Sequence, residues 1–389
     1  MPARRGNPVV VLVALATIVA VVLALVWRVA ADRSTVSIDA PEGATDGGGP
    51  GVDGSDDVAV STPVLSFRRA PGVLSRSLNL EAFAAALDPL VAKVPSGSCL
   101  PVSVDGFPVV SVEANRPVVP ASTNKLLVAA VALEQLGPQF RFRTTVVGEV
   151  DETGTVVGDL YLVGGGDPVL SSAWWTTSGI QAFPPTVTTS IEDLADQVVA
   201  AGVRRVTGRI VGDGTRYDDE WYVPTWLPEV RVTEAGPYDA LLVNDARTST
   251  SRVAEDPVQG AANVLYDLLR ERGVEIGGEA VSGTAPFGEE LGAVESPPLS
   301  DIVAEMLVTS DNNTAELLVK EIGLAVSGDG TRSAGLEAIR RQLVTWDVPV
   351  IGLELVDGSG LSNDDRVTCS TLLSVLQQGE VDGPLGEAL

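Results

Sequence analysis

Histidine is absent from this 389-residue chain, and its only lysines are Lys93, Lys125 and Lys320. The first absence excludes any serine or cysteine nucleophile that relies on imidazole as its base; among serine enzymes, lysine is the usual substitute. It also removes the commonest metal ligand. With only two cysteines, the remaining donors are carboxylates, and no Asp/Glu cluster has a recognisable loop spacing, so no metal or other cofactor is expected. Basic residues are scarce: 26 Lys and Arg stand against 52 Asp and Glu, a formal charge of −26. Nucleic acid is therefore not an expected partner, because phosphate binding needs clustered cations. The acidity fits a soluble, self-repelling body. At 45% hydrophobic residues the chain has ample material for a core, and its length allows two or three domains.

Arg4 and Arg5 precede an uncharged run from Gly6 to Trp27, which Arg28 closes. The run is long enough to cross a bilayer, which takes about 20 apolar residues. Residues 1–31 are read as an N-terminal membrane anchor, favoured over a cleaved signal peptide ending near Val29-Ala30-Ala31. Either reading exports the body, held extracytoplasmically at the cell membrane or secreted. Residues 32–62 form an acidic Gly/Asp-rich linker with little to bury, and order is expected from about Pro63. In an exported protein, Cys99 and Cys369 are expected to form a disulfide, two free buried thiols being the alternative.

The pattern predicts a helix over 80–92, then a hairpin within 99–119, turning at Asp105-Gly106. A helix with Leu126, Leu127, Ala130 and Leu133 at helical spacing ends at Gly137-Pro138. From 141 to 290, short Val-rich strands (144–150, 155–163, 205–212) alternate with tight turns, and helices are expected at 191–201 and 261–272. Gly164-Gly165-Gly166-Asp167-Pro168 lacks lysine and reads as an acidic turn rather than a phosphate loop. Helices are then expected at 300–308 and 314–322, the second carrying a capping box from Asn313 to Glu316. A last helix runs from 369 to about 378.

Ser122 and Lys125 form the only Ser-x-x-Lys in the chain. A spacing of three places both side chains on one face of a helix's first turn, above the positive end of its dipole. A desolvated lysine there can lose its proton and activate the hydroxyl. Taken alone, a serine N-cap with a surface lysine is the commoner explanation. Ser310-Asp311-Asn312 falls on a turn between two apolar helices, which can aim Ser310 and Asn312 into a cleft or simply cap those helices.

Ser-x-x-Lys followed by Ser-Asp-Asn is the signature order of penicillin-recognising serine enzymes. The chain resembles the class C low-molecular-mass penicillin-binding proteins, the D-alanyl-D-alanine carboxypeptidases and endopeptidases of bacterial cell walls. The resemblance rests on Pro120–Leu127, Gly158–Pro168, Gly236–Asp245, Ser296–Val303, Ser310–Glu316 and Asp357–Ser362, in order across residues 63–389. Ser122 and Ser310 stand 188 residues apart, which suits this branch and its inserted domains better than a β-lactamase. The implied fold is mixed α+β, an antiparallel sheet flanked by helices in the manner of the penicillin-binding and serine β-lactamase enzymes. Residues 63–140 and 291–389 would form that domain, and 141–290 an inserted β-rich region.

The resemblance implies a role for each matched residue. Ser122 would be acylated by D-Ala-D-Ala or cross-linked peptidoglycan peptides and by β-lactams. Lys125 would take its proton and Ser310 would relay protons. Asn312, Ser359 and Gly360 would meet substrate. The family's third motif, Lys-Thr-Gly, does not occur in the 389 residues. The expectation is an incomplete copy of an active enzyme; the alternative is a catalytically poor envelope homologue that binds muropeptide or a partner.

Overall fold

The computed structural model describes residues 71–179, 184–379 and 382–389. The expected membrane anchor and acidic linker lie outside these residues. Among the described residues, no helix is long and apolar enough to cross a membrane.

Helix α1 (Pro71–Val91) begins nine residues before the expected start, with Pro71 in the first turn where a missing N–H costs nothing. Strands β1 (Leu100–Val104) and β2 (Phe107–Val112) pair antiparallel about the Asp105-Gly106 turn, Leu100 facing Val112. A short strand β3 (Pro117–Val118) leads into a 3-10 turn, Ala121–Asn124, and then into α2 (Lys125–Leu136). Leu127 to Leu133 are buried without a break. A helix apolar on every side must be wrapped by others rather than lie on a surface, and α2 is so wrapped, as the following elements show.

The region after α2 is built on a five-stranded mixed sheet. Its members are β4 (Arg143–Gly148), β5 (Leu160–Val163), β6 (Ile210–Asp213), β7 (Val281–Ser282) and β8 (Glu289–Glu295), in spatial order β7-β6-β5-β4-β8. The β6 contacts are parallel, and β4 runs antiparallel to β5 and β8. The stretch 155–163, expected as one strand, is broken at Gly158, whose φ of 102° is closed to strand residues with a Cβ. The stretch 205–212 divides likewise into Arg205–Val206 and Ile210–Asp213. Helices α3 (Ile191–Ala200) and α4 (Pro257–Glu271) cover the sheet and share one core with it. α4 starts four residues early because the Asp256 carboxylate caps it and Pro257 tolerates the first turn.

The chain returns through α5 (Leu299–Thr309), α6 (Asn312–Ser327) and α7 (Arg332–Thr345). It ends with β9 (Val367–Thr368), α8 (Cys369–Gln378) and a short terminal helix. α2 packs against α5, α6 and α8 in a second core holding Leu127, Val131, Ile302, Leu318 and Ile322. β9 pairs with β3, and directly beyond it Cys369 is disulfide-bonded to Cys99, Cα atoms 5.9 Å apart. Together these tie the approach to Ser122 to the last long helix. The architecture is mixed α+β, with helices flanking the sheets.

Candidate active site

Ser122 does not cap α2. Because Ala121 takes a left-handed conformation (φ 48°), the chain enters a 3-10 turn early and Ser122 lies inside that turn. Neither the 3-10 turn nor α2 has a side-chain capping bond at its N-cap. The Ser122 hydroxyl instead accepts hydrogen bonds from Lys125 Nζ at 3.2 Å and Ser310 Oγ at 2.9 Å. Ser122 is exposed. Lys125 is not a surface residue: it is 1% exposed, and its ammonium also donates to Asn312 Oδ1 at 2.7 Å and to the Ser359 carbonyl at 2.9 Å. All three of its donors are thereby directed.

Ser310 closes α5 with φ 60°, again left-handed without being glycine. Two such residues, Ala121 and Ser310, flank one hydroxyl pair. Strain of this kind, costing about 1–3 kcal/mol per residue, persists where surrounding packing imposes it, and it clusters at functional sites. Asp311 caps α6 through Thr314 N, so α6 starts at Asn312 and the expected Asn313–Glu316 capping box does not form. Asn313 reaches Asp245, and Glu316 turns inward to the 357–362 loop. The cap position was already filled by the shorter acid two residues upstream.

Asn312 is oriented from both ends: Oδ1 receives Lys125, and Nδ2 donates to the Glu234 carbonyl at 2.7 Å. Ser359 and Gly360 lie behind the nucleophile, not in the cleft. Both are buried; Ser359 is held by Glu316, and Gly360 lies against Ala121. In this arrangement they support the site from beneath, Ser359 being 0% exposed. The structure thus gathers Ser122, Lys125, Ser310 and Asn312 into one hydrogen-bonded group and sets Ser359 and Gly360 beneath it.

Residue-pattern reading missed Glu316, Asp357, Trp226 and Glu234. Asp357 Oδ1 accepts Gly360 N–H, and its Oδ2 accepts Ser362 N–H and Trp226 Nε1–H. Asn124 donates to the Asp357 carbonyl at 2.8 Å. Asp357 was visible only as the first letter of the Asp-Gly-Ser-Gly stretch. A cavity of about 370 Å³ opens beside Ser310 and Asn312, walled by Trp175, Ile302, Met306, Glu234 and Asp311. Among the described residues, no group of three or more His, Cys, Asp or Glu side chains is placed to hold a metal ion.

Burial lowers the Lys125 ammonium from its ordinary 10.5 to about 8, against the opposing pull of Asp311, Glu316 and Asp357. At pH 7.5 about a quarter of it is then neutral, against about one part in a thousand for an ordinary lysine. Burial raises several carboxyls: Asp167 to about 6, Asp239, Asp245 and Glu316 to about 7, and Asp365 to about 8. These groups hold protons in the folded chain that the unfolded chain has already released above about pH 4. Their contribution is fully present below the unfolded carboxyl range and is lost as pH rises through 6–8. Lys125 acts oppositely, but only between about 8 and 10.5. The unfolding midpoint should therefore fall by roughly 5–10 °C between pH 5 and pH 8. Calorimetry at the two pH values measures this, and a midpoint that rose would contradict it.

Residues 83–253 and 240–387 match the D-Ala-D-Ala carboxypeptidase 3 (S13) family. Over 273 residues the chain is 32% identical to a carboxypeptidase of Mycobacterium tuberculosis, covering 67% of this chain and 55% of that protein. Over 368 residues it is 28% identical to a D-alanyl-D-alanine carboxypeptidase of Actinomadura sp. strain R39, covering 75% of this chain and 65% of that protein. It thus spans little more than half to two thirds of these relatives' lengths. The fold superposes on penicillin-binding protein 4 of Haemophilus influenzae with a TM-score of 0.63 at 18% identity, over 77% of this chain and 83% of the other. A second structure of that protein, complexed with a β-lactam, gives a TM-score of 0.54 at 20% identity, covering 75% and 76%.

Proposed function

Because the chain belongs to the D-Ala-D-Ala carboxypeptidase 3 (S13) family, we propose that it is an exported serine D,D-peptidase that cleaves D-Ala-D-Ala or cross-linked peptidoglycan peptides through an acyl-enzyme on Ser122. The observation that carries this reading is the buried Lys125 ammonium 3.2 Å from an exposed hydroxyl, in a protein with no imidazole. Neutral Lys125 takes the Ser122 proton as Oγ attacks the penultimate D-Ala carbonyl. The Ser122 backbone N–H offers one donor to the developing oxyanion, a contribution of about 3–4 kcal/mol in serine hydrolases. Ser310, bonded to Ser122 Oγ, passes the proton from Lys125 to the leaving amine as the C–N bond breaks. Water then attacks the ester, and Ser122 regains its hydrogen. Asn312 keeps a free N–H beyond its Glu234 bond and can hold the substrate amide. A β-lactam would undergo the same attack, but its amine stays tethered and the ester persists.

A second reading is a homologue that binds muropeptide or a partner without turnover. Incubation with a fluorescent penicillin, then digestion and mass spectrometry, separates the two. The D,D-peptidase reading expects a stable adduct on the peptide containing Ser122. No adduct, with saturable binding of a peptide ending in D-Ala-D-Ala, would establish the second reading. Rapid penicillin turnover would indicate a β-lactamase instead.

A further inference from the structure

We propose that Glu316 is a positioning residue for Lys125, acting through the Gly358–Gly360 backbone, an inference that rests on the serine-peptidase reading above. Glu316 projects from α6 and is 1% exposed. Its Oε1 accepts Gly358 N–H at 3.0 Å and Ser359 N–H at 2.8 Å, with Oε2 3.2 Å from the first. The next peptide unit carries the Ser359 carbonyl, which receives Lys125 Nζ at 2.9 Å, and the Gly360 N–H, which Asp357 Oδ1 accepts at 2.6 Å. Three consecutive N–H groups therefore point at two carboxylates, while the carbonyl between the second and third points at the base. A run of backbone N–H groups converging on an anion forms a nest, which fixes the backbone's direction as well as satisfying the charge.

The arrangement has two consequences for Lys125. The grip on Gly358 and Ser359 fixes where the Ser359 carbonyl stands, and so where Nζ stands relative to Ser122. The charge also keeps the ammonium from being driven still lower by burial, in company with Asp311 and Asp357. The charged and titratable groups facing Glu316 are Lys125 from α2, Asp357 from the loop, Arg332 from α7 and Tyr238 from the 236–245 segment. Burying a carboxylate is costly unless it is paired and hydrogen-bonded. Here the partners are the backbone that holds the base.

Two variants of the full chain separate charge from reach. Glu316→Gln keeps the shape and one acceptor but loses the charge. Glu316→Asp keeps the charge but withdraws it by one methylene. With only three lysines, selective carbon-13 labelling at lysine Cε gives three resonances, and Lys125→Met identifies the relevant one. In Glu316→Gln the Lys125 titration midpoint should fall by about one pH unit, and the pH limb of penicillin acylation should move down with it. In Glu316→Asp the midpoint should stay near the wild-type value. Its acylation rate constant should fall about tenfold, with precovalent affinity nearly unchanged. Wild-type midpoints and acylation rates in the variants that fold would overturn the proposal, even if both unfold at lower temperature. If only Glu316→Asp folds, an unaltered acylation rate overturns it. Wild-type protein that penicillin does not acylate would defeat the serine-peptidase reading instead, while the lysine titration still decides the electrostatic coupling.

Discussion

Lys125→Met should slow acylation of Ser122 by about three to four powers of ten, the scale on which a general base acts. Methionine matches the lysine stem and relieves the burial of a charge, so the fold should persist. What is lost is the amine 3.2 Å from Ser122 Oγ, which burial lowers to about 8. In the wild type the acylation rate should climb with pH up to about 8, because only the deprotonated amine accepts the proton and its fraction grows up to that midpoint. In Lys125→Met this limb should vanish, leaving a flat, slow profile. Stopped-flow measurement of adduct formation against penicillin concentration separates the two parameters. The precovalent dissociation constant should change little, and the first-order step should carry the loss. A variant within tenfold of wild type would mean that another group is the base.

Gly360→Ala should both unfold the protein more easily and disable it. Gly360 has φ of 80°, where a residue with Cβ costs about 1–2 kcal/mol. The added carbon would overlap the Ala121 carbonyl oxygen and carbon, both of them backbone with no rotamer to yield. The loop must then separate from the 121–124 turn, stretching the Asn124–Asp357 and Lys125–Ser359 bonds together. The expected destabilisation is about 3 kcal/mol or more, read as a lowered denaturation midpoint. The fraction that remains folded should acylate about a hundredfold more slowly, the cost of displacing a catalytic group by roughly 1 Å. Wild-type stability would show that the loop and the turn do not meet this closely.

The quartet Ser122, Lys125, Ser310 and Asn312 was legible because each pair is spaced locally, three residues and two residues apart, within segments whose helical character is plain. What spacing could not reveal is the partner across the fold. Glu316 has the right offset to cap a helix, yet Asp311 reaches Thr314 N first and frees Glu316 to turn inward. Ser359 and Gly360 sit in a glycine-rich stretch that resembles a ligand loop, yet the loop is pressed against Ala121 and Glu316 from within. The Val-rich runs announced strands, but their lengths were set by Gly158 and by the Arg205–Ile210 break, which alternation alone does not register. The α+β class survived these local errors because it depends on which elements exist, and their ends matter less.

The bond from Asn312 to the Glu234 carbonyl, with that from Trp226 to Asp357, bears on how such a protein could be pared down. Both partners come from the long stretch between the two serine motifs. Excising that stretch would leave the amide with one end untethered and a buried carboxylate stripped of a donor. A shortened scaffold would need a substitute for each to keep both groups paired, so the intervening region holds the two serine motifs in place as well as linking them.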